Sequence, residues 1–134
     1  MFEPTLLRIF FAGLASVVIG IFWYHPRVLG TLWMRYSGIT PETVERGKGR
    51  MHLMTILALL ASMFAAYVLN IFGIAGGVFD ITGAVKLAVL AWAGFVAPAL
   101  LGSIIWEQKP VAYDIINSLF WLVALVAMSV VLVI

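Results

Sequence analysis

Four long apolar stretches alternate with short polar ones along the chain, from about Thr5 to Tyr24, His52 to Phe72, Ile81 to Trp106 and Val111 to Ile134. A helix rises about 1.5 Å per residue, so each stretch is long enough to cross a hydrocarbon layer of ~30 Å. The pattern predicts four transmembrane helices. The first reads as a retained span: Arg8, its only interior charge, lies near enough to one end for its stem to reach the headgroups. Met1 to Pro4 carries Glu3 and no base, unlike the start of a cleaved signal peptide.

Between the first two stretches the period changes. Val28, Leu29, Leu32, Trp33 and Tyr36 share one helical face, while Arg27, Thr31 and Arg35 recur on the other. This predicts a short amphipathic helix over about residues 27–36, lying in the interface with Arg27 and Arg35 toward anionic lipid headgroups. Pro26 supplies the corner before it. In the loop over about residues 37–51, Thr40 can cap and Pro41 can open a helical turn, which Gly47 and Gly49 then break.

Composition agrees. Of 134 residues, 64% are hydrophobic and 10% charged, and the mean hydropathy is +1.13. Soluble domains carry about 25% charge. The expected fold is therefore all-α: one integral membrane domain over residues 1–134, a bundle of four transmembrane helices plus the interfacial helix. A large water-exposed catalytic domain is excluded, and with no cysteine so are disulfides and thiolate ligands.

The net charge of +2 and pI of about 9.2 matter through placement. Six of the eight basic residues fall in two connections: Arg27, Arg35, Arg46, Lys48 and Arg50 in the first, Lys109 in the third. The basic side stays in the cytoplasm. Both termini are thus expected on the non-cytoplasmic side of a bacterial inner membrane, and no nucleic-acid partner is expected.

A weak internal correspondence adds to this. A shift of 72 residues places Pro26 on Pro98, Leu29 on Leu101 and Gly30 on Gly102, which suggests a parallel two-fold repeat. Small residues also recur at four-residue spacing: Ala12, Ser16 and Gly20; Ala58, Ser62 and Ala66; Gly94, Pro98 and Gly102. Such stripes let helix backbones approach closely. Two can serve inside the bundle and leave the third for a second copy or a larger membrane complex. Pro98 is expected to bend the third span, with Ser103 or neighbouring helices covering the freed carbonyl.

The run Gly20, Ile21, Phe22, Trp23, Tyr24, His25, Pro26, followed by Leu29, Gly30, Trp33, Met34, Arg35 and Gly38, resembles the opening signature of the small bacterial four-span family catalogued as domain of unknown function seventeen sixty-one. Trp92, Gly94, Phe95, Val96 and Pro98 look like that family's second signature. The resemblance covers nearly the whole chain. It implies a fold and a bacterial inner membrane, not an activity. His25 stands where that family more often carries a small polar residue such as serine.

Candidate chemistry is sparse. Asp114 and Asn117 share one face of the last span, opposite the corner at His25 and Pro26. Any polar pocket is expected there, lined by Trp23, Tyr24, His25, Arg35, Asp114 and Asn117. Two histidines, His25 and His52, without a carboxylate or thiol at ligand spacing make a thin metal or haem site. No catalytic residue, metal site or cofactor is read from the sequence. The leading reading is a non-enzymatic component acting through helix packing or within a complex. A small transporter or channel for an apolar or weakly polar solute is the alternative, and a lipid- or quinone-acting membrane enzyme the third.

Overall fold

The computed structural model describes residues 6–134, so Thr5 and the residues before it lie outside the described part. Every regular element among the described residues is helical. In chain order these are α1 (Leu6–Trp23), a π-helical turn (Pro26–Gly30), α2 (Thr31–Ser37), α3 (Pro41–Gly47) and α4 (Met51–Ala75). Then come α5 (Ile81–Ala91), a second π-helical turn (Trp92–Val96), α6 (Ala97–Leu100), α7 (Gly102–Ile105) and α8 (Val111–Val133). Among the described residues four helical runs are long and apolar enough to cross a membrane: Leu6–Trp23, Pro41–Ala75, Ile81–Ile105 and Val111–Val133.

The helices form an open arc. α8 packs on α1 at one side and on α5 at the other, α1 also packs on α4, and α4 and α5 barely touch. A two-fold repeat would make the α1–α8 and α4–α5 contacts alike. The packing departs from that symmetry, although each half places a π-helical turn beside its proline.

Close approach explains which faces meet. Ala12 and Ala66 are fully buried, and the Ser62 hydroxyl donates to Ser16 Oγ at 3.2 Å across the α1–α4 seam. One position beyond Ala12, the Cα of Gly13 faces Met63 so closely that a Cβ there would stand 3.0 Å from the Met63 backbone nitrogen. On α5, Ala84 and Ala88 are fully buried and join Leu125, Met128 and Leu132 of α8 in the core. Asn70 and Ser129 are also fully buried, yet the Asn70 amide and the Ser129 hydroxyl have no hydrogen-bond partner. Of the first two small-residue stripes, Ala12, Ser16, Ser62 and Ala66 thus serve inside the arc, Gly20 is half-buried and Ala58 is exposed. The third stripe does not serve there, since Gly94 and Pro98 are exposed and Gly102 is half-buried.

Two corners depart from the expected detail. At the first, the π-helical turn closes with Gly30 N–H donating to the His25 carbonyl at 3.0 Å, and a Cβ on Gly30 would fall on the Tyr24 carbonyl oxygen. Only glycine fits. Thr40 does cap α3, accepting from Thr43 N–H, but Gly47 and Gly49 do not break the chain. They lie in or beside a 3-10 turn (Lys48–Arg50) that leads directly into α4. At the second, the wide turn Trp92–Val96 precedes Pro98, with Ala97 N–H reaching back to the Trp92 carbonyl. Ser103 covers no freed carbonyl, because its hydroxyl has no partner.

Candidate functional site

The connection after α1 and the connection before α8 meet at one end of the arc. Lys109 links them, its ammonium donating to the Ser37 carbonyl while lying 5.6 Å from the centre of the Tyr113 ring. Lys109 sits just past Gln108, whose φ of 55° turns the chain back toward α8.

Side chains from α1 and its corner anchor to α8 here. The Trp23 indole N–H donates to the Ile116 carbonyl at 3.0 Å, and the Tyr24 hydroxyl donates to Asn117 Oδ1 at 2.6 Å. Tyr24 also meets Trp33 of the interfacial helix edge-on, ring centres 5.4 Å apart, and Phe120 at the same distance. From the other side of α8, the Trp92 indole donates to the Ser118 carbonyl at 2.7 Å.

Three clefts flank these anchors. One of about 390 Å³ lies where α1 and α4 diverge, between Gly20, Tyr24, Met54, Ala58, Phe120 and Trp121. A second, about 430 Å³, is an apolar trough between the α5–α6 corner and α8, with Trp92, Pro98, Leu101 and Leu119 in its walls. The third, about 410 Å³, is more polar and holds Ser103, Trp106, Glu107, Tyr113 and Asn117. Asp114 borders both the second and the third. Its Oδ1 and the Ser103 hydroxyl are shut off from solvent without a partner.

The six residues expected to line one pocket are therefore divided. Tyr24 lines the α1–α4 cleft, Asn117 and Asp114 line the cleft beside α7, and the Tyr24–Asn117 bond joins the two groups. Trp23 is spent on the α8 backbone and lines none of the three. His25 is exposed, its Nδ1 accepting from Arg27 N–H at 3.1 Å, and Arg35 is exposed on the interfacial helix. His52 is exposed at the start of α4. Among the described residues no three His, Asp or Glu side chains gather where a metal ion could be held. Sequence reasoning missed Phe120 as a lining residue, though it follows Asn117 by three positions on the same face. It also missed Ser103 and Glu107, which reach the site only through the turn before α8.

The fold and its clefts define a small multi-pass helical membrane protein with half-open, largely apolar recesses at its basic end. The chain belongs to the family described as Protein of unknown function (DUF1761), whose match runs over residues 7–133. No curated protein and no solved structure matches it.

Proposed function

We propose that the protein is a non-enzymatic membrane component that acts by packing against a second membrane-embedded chain, either its own copy or part of a larger complex. One observation carries this reading. Only 6% of the most apolar window of the third helical run is buried, against 44% for α8, and the space around the Gly94 Cα is open. Lipid tails give helices no hydrophobic drive to associate, so a bare glycine between exposed Leu90 and Pro98 favours close approach of another backbone. We place the protein in a bacterial inner membrane with its six-residue basic side in the cytoplasm and both termini opposite.

The chain has no cysteine, so single replacements report cleanly. Gly94→Cys is expected to form an oxidative cross-link in native membranes, to itself or to a heavier partner, while Phe64→Cys on the exposed face of α4 does not. Equal yields from the two would sink the reading. A cysteine at the extreme N-terminus should react with an impermeant label in intact cells, and protection there contradicts the orientation. The alternative, passage of an apolar or weakly polar solute, is favoured by Asp114 bordering two clefts. Solute flux in liposomes discriminates it.

A further inference from the structure

We propose that the two clefts sharing Asp114 form one binding site for an amphiphile with a primary ammonium head and an apolar tail. This site is independent of any association with a second chain.

The polar cleft supplies the head site. Asp114 Oδ1 and Ser103 Oγ are both shielded from water and both lack a partner, and leaving such groups unpaired is unfavourable. The carboxylate oxygen can only accept. Glu107 adds a second carboxylate to the same cleft, and among the described residues no basic side chain lines either cleft. The nearest basic residue in sequence, Lys109, has its ammonium on the Ser37 carbonyl. An anionic head would meet two carboxylates with no counter-charge. A neutral hydroxyl could answer one orphan atom but not the charge. A primary ammonium offers three N–H donors, enough for Asp114 and Ser103 together with one bond to spare.

The adjoining trough supplies the tail site. Asp114 lies in the first turn of α8. From there to Leu119 the helix advances roughly 7 Å toward the membrane interior. Along that path the walls are Trp92, Ala97, Pro98, Leu101, Ile115 and Leu119. The π-helical turn Trp92–Val96 and Pro98 lie along this trough, Trp92 and Pro98 in its wall. Head and tail sites thus follow the polarity gradient of the bilayer itself.

Two sources share this chemistry: a free long-chain amine and the head of an aminophospholipid. The test is native mass spectrometry of the detergent-solubilised full chain with dodecylamine, dodecanol and dodecyltrimethylammonium as probes. Dodecylamine is expected to remain as a single adduct and to bind at least tenfold more tightly than the other two. Asp114→Asn should lose at least tenfold of that binding. Equal retention of the three probes, or unchanged binding in a folded Asp114→Asn, overturns the proposal. If Asp114→Asn does not fold, Leu101→Trp, placed on the exposed wall of the trough, decides: it must weaken dodecylamine binding, and unchanged affinity overturns the assignment. A parallel arm compares dioleoylphosphatidylethanolamine with dioleoylphosphatidylcholine. Selective retention of the former identifies a lipid source, and retention of dodecylamine alone identifies a free amine.

Discussion

Replacing Gly13 by alanine should loosen the α1–α4 seam by an amount that can be worked from the geometry. The added Cβ would stand 2.6 Å from Met63 Cγ, 3.0 Å from its backbone nitrogen and 3.2 Å from its Cα. The Cγ can rotate aside, but the nitrogen and Cα are held by the α4 helix. Restoring ordinary contact of about 3.5 Å therefore requires the helices to separate by roughly 0.5 Å. One turn along, the Ser62–Ser16 hydrogen bond is already 3.2 Å long, and separation takes it beyond useful range. Overpacking costs typically ~1–3 kcal/mol, and an inter-helix hydrogen bond in a membrane contributes ~0.6 kcal/mol on average. The expected loss is thus about 1.6–3.6 kcal/mol.

Reversible unfolding in mixed micelles, followed by far-ultraviolet circular dichroism, measures this directly. Gly20→Ala is the internal control, because a Cβ there meets only the Phe120 ring edge at 3.4 Å, which can swing away. It should cost less than about 1 kcal/mol. If the two substitutions prove equal, or if Gly13→Ala stabilises, close backbone packing is not what holds α1 on α4.

Other expectations follow from single contacts. Tyr24→Phe removes the 2.6 Å bond to Asn117, and a double-mutant cycle with Asn117→Ala should return a coupling of ~0.6–1.7 kcal/mol; zero coupling would show the bond to be idle. Gly30→Ala should cost at least ~2 kcal/mol in the same micelle assay, because the Cβ meets immovable backbone at Tyr24 and His25; wild-type stability would contradict the tight π-helical turn. Lys109→Met should speed tryptic cleavage after Arg46 or Lys48, as the tie to Ser37 is gone, and an unchanged rate would mean the two connections are held by other contacts.

Much of the fold was legible because a bilayer leaves few choices. Backbone groups in hydrocarbon must be satisfied within the segment, so a long apolar run reads as a helix with little ambiguity. Which helix lies at the centre was not legible. In lipid the inward and outward faces are equally apolar, and nothing in the composition of α8 marks it as the hub except Ala124, Ser129 and their neighbours in the buried row. Small residues were the usable signal: Ala12, Ser16, Ser62 and Ala66 do face one another, while the closest approach falls at Gly13, between two positions of that stripe. At the candidate site, the shared face of Asp114 and Asn117 and the corner opposite pointed to the Tyr24–Asn117 bond. His25 looked available for the same reason and is not, because its ring nitrogen caps the turn that Pro26 begins. Local capping outranks a distant pocket whenever a polar side chain sits at a helix start.

The contacts of α8 show how the bundle is pinned near both of its ends. Trp23 and Trp92 reach it from opposite sides and donate to the carbonyls of Ile116 and Ser118, two residues apart. An indole N–H in low dielectric needs an acceptor, and a helix carbonyl can take a second donor beside its own i+4 amide. At the opposite end, the Arg8 guanidinium donates to the Leu132 carbonyl, one of the last in the helix and short of an intrahelical partner. α8 is therefore fixed near both ends by long polar side chains, and packed tightly by alanines only in the half where Ala84 and Ala88 lie against it. At the basic end Trp92 stands in the wall of the trough beside α8, while Trp23 lines none of the clefts and is spent on the α8 backbone. Polar anchors of this size, set on carbonyls two residues apart, give the bundle its register at this depth.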